Sequence, residues 1–600
     1  MTPDDVLADH QTKLRDLAEC TALTRSRQHL AGAALALTLA ITAILAFYAF
    51  RRQIFPLWPA LPVPLVLIAR RRYRHYLQSR YRLWRLTRFY DSAVQRAQHE
   101  WAGAGITGEE FSLPGHAYSS DLNVLGEGSL FELLCIARTS IGRRGLADFL
   151  LVPPPHDETL LRQDAVREMR DRVDLREQVA TLGEFEFSET KWSTFEDWLN
   201  TPQLNFPRLL PAAAAITSTL LAALLLTGLV TSVPWGRIAA YAVPLVAFHA
   251  VIGLVYRARV NRIQALLRPV SVETQVLREG LHLLEHQTLQ SAKLRQLAAQ
   301  AQGASNAVRH LERLLDLWNE RNKDWFYAPS LLLLAGTQLC MATERWRAQH
   351  GPSLQHWLQA WADFEALNAL AAYAYENPDH TFPEFTADHA CLEAQSLGHP
   401  LLPNAACIRN DVELNLQTRF YVLSGSNMSG KSTLLRAIGL ASVLARAGAP
   451  VRSKALRHSP NLSVFASLSI TDSLLNGKSK FQAEVDRLRQ TIDSAEHNHV
   501  LFLIDEIFSG TKSRDRRIAA EAIVRTLTDR AAVGVLSTHD LALTEIAHAP
   551  NLRGRNVHMG SRDGTDPMDF DYRLKPGITQ EANALVIARM AGVPVSDPVA

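Results

Sequence analysis

The chain has 600 residues, too many for one hydrophobic core; at roughly 100–200 residues per domain it implies three to five units. Hydrophobic residues are 47% and charged residues 20%, which excludes a largely disordered or collagen-like chain. Lys+Arg 63 against Asp+Glu 60 leaves a formal net charge of +3, which excludes a uniformly basic nucleic-acid binder; any basic face must be local.

Residues 1–29 read as a cytoplasmic segment. Leu30–Phe50 follows, with no charge over 21 residues, about the ~20 needed to cross ~30 Å of hydrocarbon. A cleaved signal peptide is not expected, since the run starts late and Asp4, Asp5, Asp9 and Asp16 precede it. Ile54–Ala69 is weaker: it carries Pro56, Pro59, Pro62 and Pro64, and reads as a short return span or a re-entrant piece. It would complete a transmembrane hairpin over 30–70. Residues 71–120 form a basic juxtamembrane helix and linker, with Arg80, Arg82, Arg85 and Arg88 around Tyr81 and Trp84. Lipid headgroups next to the span are the expected target, with nucleic acid as the alternative.

Residues 121–207 read as a helical core region. A second hairpin over 208–256 joins Leu209–Thr231 to Ile238–Tyr256 through a tight turn at Val233, Pro234, Trp235, Gly236 and Arg237. Arg25 and Arg27, Arg70 to Arg74, and Arg257, Arg259 and Arg262 flank the spans, so these flanks face the cytosol by the positive-inside rule; Arg51 and Arg52 run against it. The expected location is the inner (cytoplasmic) membrane, multi-pass, with everything large in the cytosol. Residues 257–395 read as a helical core and lever region, with apolar stripes such as Leu277, Leu281, Leu283 and Leu284, then Leu294 and Leu297, then Leu311, Leu314, Leu315 and Leu317. Within it Trp325–Ala342 is uncharged but holds Pro329, Thr337 and Gln338; it reads as a core helix, with an extra span as the alternative. Cys20, Cys135, Cys340, Cys391 and Cys407 are scattered with no CxxC pair, so neither a disulfide framework nor structural zinc is expected.

From 396 to 600, short apolar strands alternate with helices, the α/β texture of a nucleotide-binding domain. Gly425, Ser426, Asn427, Met428, Ser429, Gly430, Lys431, Ser432 and Thr433 match GxxxxGK[ST] between the strand Phe420–Leu423 and the helix Thr433–Arg446. Such a loop rings phosphates with backbone N–H groups at a helix N-terminus; Lys431 meets the β/γ phosphates and Ser432 offers a hydroxyl to Mg²⁺. Val500–Ile504 then runs into Asp505 and Glu506. Asp505 suits the metal, and Glu506 suits a general base on the attacking water. Ser479, followed by Lys480, Phe481 and Glu484, lies between these motifs, and Ser537-Thr538-His539-Asp540 follows them. In this order Ser479 and His539 read as a signature serine and a switch histidine of ATPases that sandwich nucleotide between two subunits.

Here the chain resembles the MutS family. The Asn427-Met428 pair in the phosphate loop, Asp505 to Thr511 with Asp515, Ser537 to Asp540, and Tyr572–Gly577 through Ala588–Pro594 look like MutS ATPase segments. Gly128–Leu130 to Gly142–Arg144 and Arg162–Val166 resemble the start of its core, and Gly398–Pro400 and Asn410-Asp411 the approach to its ATPase. The resemblance implies an α/β P-loop NTPase (ABC-like ATPase) domain following an all-α core/lever region, here with transmembrane helices. It also implies Mg-dependent ATP hydrolysis, a homodimer through the ATPase domains, binding of mismatched or branched double-stranded DNA, and a mismatch repair-type role. Membrane lipids are the further partner. The departures are a mismatch-reading domain replaced by membrane spans, no evident clamp, Cys407 where an aromatic stacks on adenine, Lys480 where Thr is common, and Arg516 for a usual Gly. Phe187-Ser188-Glu189 and Phe382-Pro383-Glu384 match the family's wedge triplet by chance. The alternative reading is a membrane-associated ATPase that couples hydrolysis to conformational change in a membrane or protein partner without recognising DNA.

Overall fold

Residues 2–55, 57–183, 198–202, 206–231, 233–267, 271–321, 323, 329–386, 389–426, 428–468, 480–508, 512–561 and 569–579 are described by a computed structural model, with backbone alone at 229, 230, 271–273 and 480. The chain opens with a single helix, α1 (Pro3–Phe50), so residues 1–29 are not a separate segment. Thr2 and Asp5 form a reciprocal capping box at its start, and the helix runs unbroken from the acidic stretch into the apolar one. After a 3₁₀ turn at Trp58–Ala60 comes α2 (Val63–Ala97). Ile54–Ala69 is therefore split between this turn and the first turns of α2, as its prolines require. The two helices run antiparallel: the Arg80 guanidinium donates to Gln28 Oε1 at 3.0 Å, and Gly32 faces the Tyr73 ring.

The polar half of this hairpin docks on the core. Arg85, 3% exposed, donates to the carbonyls of Thr181 and Leu182 and so satisfies the end of a short helix. The Tyr90 hydroxyl bonds Glu177, and Arg96 grips Glu376 at 2.8 and 2.6 Å. Of the arginine-rich stretch, Arg85 is thus engaged inside the protein, whereas Arg80, Arg82 and Arg88 stay exposed, Arg80 while bonded to Gln28.

The helical core comprises α3 (Leu130–Leu134), α4 (Ser140–Leu151), α5 (His156–Arg170), α6 (Val173–Ala180), α9 (Ser271–His286), α10 (Ala292–Gln300), α11 (Ala304–Arg321) and α12 (Ala335–Glu376). The 42-residue α12 is its spine. Contact is closest against α4, where a Cβ on Gly145 would stand 2.5 Å from the Ala362 carbonyl. Leu277, Leu281, Leu284, Leu294, Leu297, Leu311, Leu314 and Leu315 are buried, whereas Leu317 is 52% exposed.

Helices α7 (Leu210–Val230) and α8 (Trp235–Leu267) form the second hairpin; Trp235, Gly236 and Arg237 already belong to the first turn of α8, which shortens the connection. Its inner side meets residues 330–341. His249, 2% exposed, approaches Thr217 Oγ1 at 2.9 Å and the Leu332 carbonyl at 2.6 Å. Ser218 Oγ donates to Leu333 O and Gln338 Nε2 to Ser218 Oγ, where the chain breaks helix at Leu334 (φ 51°). The described part of Trp325–Ala342 therefore packs along this hairpin and leads into α12. Among the described residues, three helices are long and apolar enough to cross a membrane: α1, α7 over Leu210–Gly228, and α8.

The α/β region begins earlier than residue 396, because β1 (Glu384–Phe385) and β2 (Leu392–Leu397) already belong to it. With β3 (Asn410–Leu414) and β5 (Ala455–His458) they make a four-stranded sheet, order β1-β5-β2-β3. The second sheet has order β10-β9-β4-β8-β7-β6, from β4 (Phe420–Ser424), β6 (Leu462–Ser467), β7 (His499–Asp505), β8 (Val533–Thr538), β9 (Gly554–His558) and β10 (Lys575–Pro576). All but β10 are parallel. Their continuous apolar runs fit burial on both faces, by α13 (Lys431–Ala447) on one side and by α14 (Lys480–Ser494) and α15 (Ser513–Asp529) on the other. Gly439 of α13 sits against Leu122 and Leu503, so the helical core and this domain share one interior.

Candidate active site

In an open parallel sheet, ligands bind beyond the carboxyl ends of the strands. Three such ends converge here: β4 feeds the glycine-rich loop, β7 ends in Asp505, and β8, between them, ends before His539. Gly425 can only be glycine, since a Cβ would lie 2.5 Å from Met559 O and 2.8 Å from Ser429 Oγ. Gly430 takes φ 96°, a left-handed conformation that frees the first N–H groups of α13. Lys431, 5% exposed, donates from Nζ to Gly425 O (2.8 Å) and Ser426 O (2.9 Å), curling the loop over its own ammonium. Burial pulls the Lys431 pKa below the ordinary lysine value, and the Asp505 and Glu506 carboxylates push it back up. Ser429 is fully buried, and its hydroxyl has no partner among the described residues.

The acids stand beside this loop. Ser432 Oγ donates to Asp505 Oδ2 at 2.6 Å, and Ser537 Oγ to Asp505 Oδ1. Glu506 takes φ 52° and Phe508 φ 51°, unusual for side chains of this kind and a form of strain found at functional sites. Glu506 N bonds Ser537 O at 3.1 Å, and Phe508 N bonds Glu484 Oε1 at 2.7 Å, which fixes the turn. The Glu506 carboxylate points outward and meets His539 Nδ1 at 3.1 Å. Arg516 donates to Phe508 O at 3.2 Å and lies 3.6 Å from Asp540, which caps the next helix through Ala542 N. Arginine at 516 therefore ties the loop after β7 to the segment after β8.

Lys431, Ser432, Asp505, Glu506 and His539 are thus brought together, with Gly425, Ser426, Met428, Ser429, Gly430 and Thr433 around them; Met428 is 72% exposed. Asn427, Ser479, Phe187 to Glu189 and the segment Ala588–Pro594 lie outside the described residues. Cys407 packs on the Gly398 backbone, beside His399. The sequence reading did not assign Ser537, Glu484 or Arg516 a task. Ser537 had one signal, its place just before Thr538-His539, but only the β7–β8 register sets it opposite Asp505.

Residues 421–597 match the family model for MutS domain V. The similarity extends to curated relatives named "DNA mismatch repair protein MutS". The one from Natronomonas pharaonis is 31% identical over 260 residues, covering 43% of this chain and 29% of that protein. Those from Lactobacillus delbrueckii subsp. bulgaricus and Lactobacillus gasseri are 29% and 27% identical over 252 and 248 residues. The chain spans about 29% of the length of the curated relatives it matches. The match to the family model thus covers the sheet from β4 onward, with its phosphate loop.

Two buried histidines make the stability of this MutS-like domain pH-dependent. His458, at Ser442 Oγ (2.7 Å), is pushed down to about 3 by burial and then by Arg446; His399 is pushed down to about 4 by burial, Arg436 and Arg452. The unfolded chain protonates both near 6.5, so below that pH it takes up protons that the folded domain refuses. Stability falls on acidification through this window, by up to ~1.4 kcal/mol per pH unit and group. Urea midpoints measured at pH 7.5 and 5.5 should drop at the lower pH, and His458→Asn should shrink the drop.

Proposed function

We propose that this chain is a membrane-anchored, Mg-dependent ATPase of MutS-like type. The observation that carries the reading is the Ser432–Asp505 contact at 2.6 Å beside the buried Lys431. It sets two hard oxygen donors together where Mg²⁺ needs them, with its remaining positions left to water and phosphate. The orphan Ser429 hydroxyl and the loop N–H groups fit phosphate oxygens. Bound Mg²⁺ would neutralise charge on the β- and γ-phosphates. Lys431, released from its loop carbonyls, would add a point charge there. Glu506 would accept a proton from the attacking water, and His539, donating from Nδ1, would orient the Glu506 carboxylate. Ser537 would hold Asp505 in place.

In this reading two copies pair through their MutS-like domains, with Ser479 of one facing the phosphates held by the other. The anchor rests on exposure: the most apolar windows of α1, α7 and α8 are only 0%, 17% and 22% buried, whereas a core helix would hide such residues. The names of the relatives favour DNA as the ligand that controls turnover, with a repair-type role. The continuous path from the α7–α8 hairpin through residues 330–341 into α12 favours the second reading, in which hydrolysis drives a membrane or protein partner without DNA. ATP turnover of the protein in nanodiscs, with homoduplex, mismatched, branched or no DNA, separates them. Stimulation by mismatched or branched DNA supports the first. Turnover that ignores DNA but responds to lipid composition supports the second.

A further inference from the structure

Helix α9 ends in a cluster that the ATPase reading does not use. His282, Glu285 and His286 lie one turn apart on one face, and their ligand atoms fall within 4.8 Å of one another. The imidazole rings stand 4.2 Å apart, centroid to centroid. Helix capping accounts for His286 Nδ1, which lies 2.9 Å from His282 O, but not for the His282 imidazole beside it. That same contact fixes the His286 tautomer and leaves Nε2 as a lone-pair donor, the arrangement typical of metal-bound histidines. Glu285, 6% exposed at its side chain, is held by Ser305 N at 3.0 Å and by Ser305 Oγ. Ser305 belongs to the first turn of α11, so a second helix of the core holds the Glu285 carboxylate in place.

We propose that His282, His286 and Glu285 bind one divalent transition metal ion of the zinc, nickel or copper class, and that the ion fastens the last turn of α9, whose Glu285 is itself held by Ser305 of α11. Two imidazoles are borderline donors that favour these ions over Mg²⁺ or Ca²⁺, a carboxylate is an accepted third ligand for them, and the exposed rings leave further positions to water. The scattered cysteines gave no reason to expect zinc; this site uses none of them.

The test is calorimetric titration of ZnCl₂ into the full-length protein in nanodiscs, free of any histidine tag, with Co²⁺ absorption as a second readout. One Zn²⁺ per chain is expected, with a rise in melting temperature on loading. His282→Ala with His286→Ala should abolish both the event and the thermal shift. Ser305→Ala should weaken binding by about 10–100-fold, as loss of a metal site's supporting contacts does. The substituted histidines are exposed or at a helix end, and an unchanged metal-free melt verifies the fold. A double variant that still binds one Zn²⁺ as the parent does, or a parent that binds none, overturns the proposal.

Discussion

Replacing Glu506 by Gln is expected to lower ATP turnover by about 10²–10⁴-fold while leaving nucleotide binding intact, because it removes a proton acceptor but no loop N–H, no Lys431 and no Ser432. The outcome separates two roles that the geometry permits for this residue. Glu506 stands at the mouth of the site with His539 Nδ1 at 3.1 Å, whereas Asp505 is engaged by Ser432 and Ser537. If Glu506 served only to hold the turn after β7, Gln would keep that shape and turnover would survive. Ser537→Ala should act differently. It loosens Asp505 without touching the water, so half-maximal turnover should need about 10–100-fold more Mg²⁺. Single-turnover hydrolysis across a Mg²⁺ series measures both effects, and a Glu506→Gln enzyme with parental rates would defeat the catalytic assignment.

The second large effect concerns the anchor. Ile41→Arg, Leu220→Arg and Val243→Arg each place a guanidinium within an apolar helix, at a cost of about 2.5–3.5 kcal/mol if that helix sits mid-bilayer. Made together, they should remove the protein from the floating fraction in a vesicle flotation gradient. Leu317→Arg is the control: Leu317 and Leu220 are equally exposed, at 52%, but Leu317 lies on the outer face of α11, an amphipathic helix of the helical core. Loss of flotation in the control as well, or retention in the triple variant, would contradict the membrane reading.

Some of the molecule was legible because the determinants are local. The phosphate loop needs glycine at 425 and 430 for backbone reasons that act within one turn, and the run from Val500 to Ile504 can only be a strand buried on both faces. The apolar windows were legible for the same reason, with Leu209–Thr231 falling within one residue of α7 at each end. The misplaced features depend on what packs against them. Thr2, Pro3 and Asp5 mark a helix start, but that the helix runs unbroken into the apolar stretch depends partly on its packing against α2. The border at 396 cut β2, whose partners β3 and β5 come later in the chain. Arg85 reads as a headgroup ligand until the end of α6 is seen beneath it.

By itself, the sequence determined the chemistry on offer: a loop that can ring phosphates, two acids at a strand end, and helices long and apolar enough to cross a membrane. Tertiary structure alone decided their relations. Strand order inserts β8 between β4 and β7 and sets Ser537 against Asp505, and through His249 the α7–α8 hairpin meets the segment at Leu332 that leads into the spine helix. The physical reason is that periodicity and turn chemistry act over a few residues, whereas strand pairing and buried polar contacts are chosen by the whole chain when it closes its core.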